Sequence, residues 1–162
     1  MLRLRSGIGR CAMSSTDILG DLNELLRDEL AAIETYRHAI ERVRKTHGHD
    51  PRFEKLTDML RDHELAASKL RDLVHRLGGT AANDPGPWGT WANTVLNAAS
   101  LLGDKAALRA LREGEESGVK DYRAALKEVT AVTTPEVLDV YAWNLSREEE
   151  HVRQLDRLIA FG

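Results

Sequence analysis

The amino-acid sequence predicts an all-α fold, a four-helix bundle built from two pseudo-symmetric helical hairpins joined by a long crossover. Three observations predict it. Apolar residues recur at spacings of three and four in four long segments, the period of a helix with one buried face. Caps and breakers punctuate those segments where helices should start and stop. The first and third segments superpose with a shift of 86 residues: Leu22 on Leu108, Leu25 on Leu111, Glu29 on Glu115, Ile33 on Val119, Tyr36 on Tyr122 and Ile40 on Leu126.

The first segment runs from about Asp17 to Lys45. Ser15 or Thr16 can cap it, and Asp17 meets the positive end of its dipole. Leu22, Leu25, Leu26, Ile33, Tyr36, Ile40 and Val43 form its stripe, and the loop Thr46-His47-Gly48-His49 ends it. Asp50-Pro51 opens the second segment as cap and first residue, and Gly78-Gly79 stops it after a stripe from Leu56 to Leu77. Gly79 to Gly103 is too long for an ordinary helix–helix turn of about 2–8 residues. After the breakers Asn83-Asp84-Pro85-Gly86-Pro87 it holds room for a further helical piece, Trp88 to Leu102, and it can run the length of a bundle. A plain up-down-up-down bundle would leave this linker unexplained. The third segment spans Asp104 to about Ala131, with Leu108, Leu111, Val119, Tyr122 and Val129 on one face. Thr134-Pro135-Glu136 opens the fourth, whose stripe runs from Leu138 to Ile159. The second and fourth segments align more loosely, with a shift of 85 that sets Leu70 on Leu155 and His63 on Glu148.

Composition narrows function. A formal charge of −3, from 23 Lys and Arg against 26 Asp and Glu, gives no basic surface for nucleic acid. No apolar run approaches the ~20 residues of a membrane span. The one cysteine, Cys11, excludes an internal disulfide and a cysteine-rich metal site. No Ser or Cys joins a buried His–acid pair, and no glycine-rich phosphate loop is present. Residues 1–14 form an arginine-containing arm without acidic residues, either disordered or preceding a natural start at Met13, and residues 15–162 form the bundle. The default compartment is the cytoplasm.

The chemistry lies in polar residues set inside apolar stripes. Glu29 sits four before Ile33, Glu115 sits between Leu111 and Val119, and Glu148 and His151 lie one turn apart between Leu145 and Leu155. His63 lies four after Met59 in the second segment. Each is about 11–13 residues into its helix, roughly 17–20 Å at 1.5 Å per residue, so all fall in one layer whichever way the helices run. Three buried carboxylates need positive charge, and the interior offers only two imidazoles. A metal ion would supply the rest, and this donor set suits iron, manganese or zinc. The same residues also permit a metal-free Glu–His hydrogen-bond network, with His63 a satisfied core histidine and Tyr36 and Tyr122 packing residues with bonded hydroxyls.

This pattern resembles the ferritin-like di-iron bundles, which take a Glu from each of two helices and Glu-x-x-His from each of the other two. Glu29 with Tyr36 and Glu115 with Tyr122 match the Tyr seven residues after the ligand Glu, and Glu148-x-x-His151 matches the fourth-helix motif. The segment Gly114 to Tyr122 and the Trp88/Trp91 crossover are similar to small bacterial ferritin-like proteins of unknown function. The resemblance covers about Asp17 to Ile159 and implies a metal site of Glu29, Glu115, Glu148, His151 and His63, with Tyr36 and Tyr122 bonded to the ligands. It departs in the second helix, where His63 and Ala66 stand at the Glu and His positions; Asp62 or Glu64 could substitute, although both point more towards the flank of the stripe. One ion, an unusual pair or none are all open. The implied function is iron binding and oxidation, or a role against peroxide or oxygen stress. The alternative is a non-catalytic bundle serving a structural, stress or partner-binding role. Without the extra short helix of storage cages after the fourth segment, a monomer or homodimer is expected.

Overall fold

The computed structural model describes residues 15–128 and 133–161. The expected arm at 1–14, with Cys11, lies outside them, as do Val129 and the side chains of Ser15, Thr16 and Trp88. Among the described residues there are five α-helices and no strand: α1 (Ser15–His47), α2 (Glu54–Arg76), α3 (Trp91–Leu102), α4 (Asp104–Lys127) and α5 (Pro135–Phe161). None is long and apolar enough to cross a membrane.

The punctuation acts much as expected. Asp50 accepts from the Arg52 amide at 2.9 Å, but Pro51 first opens a 3-10 turn, Pro51–Phe53, and α2 starts only at Glu54. Gly78 takes φ +78°, and the Gly79 amide returns to the Val74 carbonyl at 2.9 Å, closing α2. Thr134 Oγ1 accepts from the Val137 amide at 3.4 Å ahead of Pro135.

Helices α1 and α2 pair as one hairpin, α4 and α5 as the other. At one end of the bundle Asn23 of α1 clasps the chain after α2, donating to the Thr80 carbonyl at 3.0 Å and accepting from the Ala82 amide at 2.8 Å. At the other end His47, the last residue of α1, pairs with Asp104, the first of α4, at 2.5 Å and stacks on Phe53. The chain must therefore travel the length of the bundle between α2 and α4. It does so through a 3-10 turn, Gly86–Thr90, and then α3, which packs on α1 and α4 with Ala92 and Val95 buried. The long crossover is thus real and carries a fifth helix. Gly114 makes room for it: a Cβ there would stand 2.9 Å from Trp91 Nε1.

Two apolar clusters fill the core. One gathers Leu22, Leu26, Leu70, Val74, Val137 and Tyr141; the other gathers Ile40, Leu56, Met59, Val95, Leu111 and Leu155. Between them lies a polar layer.

Candidate metal centre

Each helix of the two hairpins contributes to this layer, because each carries a polar residue at mid-length in its inward stripe. Glu29 comes from α1, His63 from α2, Glu115 from α4, and Glu148 with His151 from α5. All five are at most 5% exposed. They are held by one hydrogen-bond network.

His63 occupies its centre. Its Nδ1 lies 2.7 Å from Glu29 Oε2 and 3.6 Å from Glu148 Oε1, and its Nε2 lies 3.1 Å from Glu115 Oε1. Glu115 Oε2 lies 3.0 Å from His151 Nδ1. The two tyrosines reach across between hairpins. Tyr36 of α1 donates to Glu115 at 2.5 Å, and Tyr122 of α4 donates to Glu29 at 2.5 Å. Asn144 Nδ2 then donates to the Tyr122 oxygen at 2.7 Å. The pseudo-symmetry read from the 86-residue shift thus appears as two reciprocal Tyr–Glu bonds.

Sequence reasoning missed four participants. Asp62 Oδ2 lies 3.1 Å from His151 Nε2, so Asp62 reaches the layer from the flank to which its position assigned it. Glu64 does stay outside, pairing with Arg37 at 2.6 Å. Asn144 stands four before Glu148 on the same face, a spacing that could have found it. Met59 Sδ lies 3.4 Å from the Tyr36 hydroxyl. Gly118 follows Glu115 by three residues; a Cβ there would stand 2.6 Å from Glu148 Oε2 and 2.9 Å from its Cδ. The glycine gives the Glu148 carboxylate its place. Gly118→Ala gains about 1 kcal/mol of helix propensity but forces that carboxylate out of the layer, an overpacking cost of about 1–3 kcal/mol. We expect a net fall in melting temperature, and unchanged or raised stability would refute the packing role.

Electrostatics sort the carboxyls. Burial works against an imidazolium at His63, but Glu115, Glu29 and Glu148 outweigh it and raise its pKa well above the ordinary value. Burial would raise Glu115 too, yet His63 and His151 hold it well below the usual carboxylate range. Glu148 is pushed well up by burial and by the neighbouring Glu115 charge. Burial and the facing carboxylates also raise both Tyr36 and Tyr122, keeping their phenols protonated donors.

A cavity of about 310 Å³ opens between α1 and α4 and reaches Glu29, His63, Glu115 and Glu148. Small side chains, Ala31, Ala32, Gly114, Ser117 and Gly118, line it together with the larger Leu25, Trp91 and Leu111, and its lining also includes Asp28, Lys120 and Asp121. Burial, then Asp121 and Glu29, push the Asp28 carboxyl up to about 7. His151 and Asp62 are not part of this lining.

The donors present fit a metal. Among the described residues two buried sets of three, His63/Glu115/His151 and Glu29/His63/Glu148, bring their donor atoms within 4.8 Å of one another. That is close to the span bridged by bonds of about 2.0–2.2 Å from one ion. Imidazole and carboxylate suit iron, manganese or zinc. Three half-buried acids nearby are otherwise engaged: Glu149 with Arg123, Glu116 with Arg112, and Glu150 with Arg153.

Residues 17–128 match the model of a family described as Domain of unknown function (DUF2383). No curated protein matches the sequence. Among solved structures, the fold is similar to a ferritin-like, diiron-carboxylate protein from Bacillus anthracis str. Ames, with a TM-score of 0.71 and 21% identity over 91% of this chain and 99% of that one. It is also similar to a dodecameric thioferritin, the bacterioferritin-related protein from Bacteroides fragilis, with a TM-score of 0.70 and 17% identity over 93% of this chain and 88% of that one. The chain belongs to the DUF2383 family, and its bundle has the ferritin-like fold.

Proposed function

We propose that the protein binds iron in the mid-bundle layer and uses it against dioxygen or peroxide. The observation that carries this reading is the convergence of three buried carboxylates on two imidazoles, with Glu29, His63, Glu115 and Glu148 reached by a cavity and His151 behind them. Carboxylates without matching positive charge are costly to bury, and a divalent ion offsets that cost. Glu29, Glu115, Glu148, His63 and His151 would hold it. Bound ferrous iron would supply the electron for reduction of an oxidant entering from the α1–α4 side. The chain's own part is orientation: Tyr36 and Tyr122 each fix one carboxylate oxygen, and Asp62 fixes the His151 ring. The cavity, about 310 Å³, has room for a diatomic or peroxide-sized molecule. The similarity to a diiron-carboxylate protein supports the choice of iron.

The test is metal content by mass spectrometry on protein purified without a metal-affinity tag, before and after anaerobic Fe(II) loading. We expect stoichiometric iron, absent from Glu148→Ala, and ferrous oxidation faster than in buffer. Protein that neither retains iron nor changes that rate would refute the proposal. The internally bonded network favours a second reading, a non-catalytic bundle whose polar layer is complete without metal. It predicts that chelators leave the melting temperature of the purified protein unchanged.

A further inference from the structure

Two imidazoles in the layer meet a carboxylate at each ring nitrogen, but His151 turns its outer nitrogen to Asp62 on the flank, whereas both nitrogens of His63 face buried members of the layer. Nδ1 faces Glu29 and Glu148, at 2.7 and 3.6 Å, while Nε2 faces Glu115 at 3.1 Å. The far oxygen of Glu115 in turn meets His151 Nδ1 at 3.0 Å. The two buried donor sets, Glu29/His63/Glu148 and His63/Glu115/His151, share His63 and nothing else. A single ion can use one nitrogen of this ring. It would leave the donor set on the other face without a cation.

We propose that His63 bridges two metal ions, one held by Nδ1 with Glu29 and Glu148, the other by Nε2 with Glu115 and His151. This rests on the metal-binding reading above and specifies its site. Each ring proton leaves to solvent as an ion takes its place, so the bridge is an imidazolate. Charge then closes. Among the ligands, three ionised carboxylates and one imidazolate carry four negative charges against four positive ones on two divalent ions, while Asp62, partly exposed on the flank, pairs with the outer nitrogen of His151. With one divalent ion the other buried donor set has no cation, and its charge must be met by a proton on Glu148 or on the His63 ring. The replacement of the expected second-helix Glu by His63, with Ala66 one turn on, thus gives the layer a ligand with two donor nitrogens.

The bridge sets a distance. Two metal–nitrogen bonds of about 2.1 Å with an imidazole ring between them separate the ions by about 6 Å. Ions sharing a carboxylate or water lie about 3.5–4 Å apart. Wild-type protein saturated anaerobically with Co(II), an oxidation-resistant stand-in for Fe(II), is assayed for metal per chain and crystallised for anomalous scattering. We expect about two ions per chain, about 6 Å apart, with His63 between them. In His63→Gln, which cannot bridge as an anion, both ions should bind at least about tenfold more weakly. Two ions at about 3.5–4 Å, one ion per chain, or unchanged affinity in His63→Gln would overturn the bridge while leaving metal binding intact. No bound Co(II) and no bound Fe(II) would overturn both. The wild-type measurement decides the matter even if the variant does not fold.

Discussion

Glu115→Ala should lower the melting temperature of the metal-free protein by on the order of 10 °C, whereas Glu148→Gln should leave it unchanged or raise it. The two carboxyls lie in one layer and are both buried, yet their surroundings are opposite. Glu115 accepts from Tyr36 at 2.5 Å and lies 3.1 Å from His63 Nε2 and 3.0 Å from His151 Nδ1. It is held well below the usual range, so it is the ionised member and the anchor of the network. Its removal takes the carboxylate partner from the Tyr36 hydroxyl, His63 Nε2 and His151 Nδ1 at once. Breaking a buried pair from one side costs about 3–5 kcal/mol, and each kcal/mol is worth about 2–4 °C in a domain of this size. Glu148 is pushed well up by burial and by Glu115, so it is already neutral in the metal-free core. Glutamine copies that neutral form. Both variants should lose metal binding, since each removes an anionic donor. Thermal melts in chelator, set beside metal content, check this; equal destabilisation by the two substitutions would show that Glu148 is ionised as well.

The metal-free protein should also become less stable, with a falling melting temperature, as pH rises above about 5. Glu148 has a folded pKa above its unfolded value of 4.5, so its contribution is present below that value and is lost as pH rises. Burial opposes the charge on His63, but its carboxylates win, and its raised pKa gives stability present below 6.5 and lost above. Asp28, raised to about 7 chiefly by burial, adds loss between 3.8 and that value. Glu115 acts in the opposite sense, since its depressed pKa gives stability that is lost only as pH falls below 4.5. Above that point the first three dominate. Metal binding runs the other way, because its ligands must shed protons. Added metal should therefore raise the melting temperature more at pH 8 than at pH 5. Melts across this range, with and without metal, measure both slopes; a metal-free protein that gains stability with pH would refute the assigned charges.

The bundle and the membership of its polar layer were legible because helical period and mid-helix depth both constrain where a residue points. Glu29, Glu115, Glu148 and His151 sit at stripe positions, and burial of a carboxylate there is conspicuous. That Tyr36 and Tyr122 bond acids across the layer was implied by the family resemblance; the seven-residue step, two turns along one face, only sets each on the side of its helix that carries the acid. Asp62 was not legible. Periodicity fixes the direction of its Cα–Cβ bond, which lies at the stripe edge, but not that its carboxylate would find His151 on α5. The start of α3 was blurred for a different reason: Gly86–Thr90 continues the breaker run as a 3-10 turn, so the composition changes before the helix begins. Gly118 carries no side chain to read, and its meaning appears only once Glu148 stands 2.6 Å from where a methyl would go.

The reciprocal tyrosine bonds bear on how the chain folds. Tyr36 is 79 residues from Glu115, and Tyr122 is 93 from Glu29. Each hairpin therefore holds a buried acid whose phenol donor belongs to the other, and neither can complete its interior alone. A chain that has formed only α1 and α2 still exposes Glu29 and His63 to water. Native order in the layer must await docking of the second hairpin, after the loop between them has closed. Assembly is thereby made close to all-or-none, and half a bundle has little to gain from persisting.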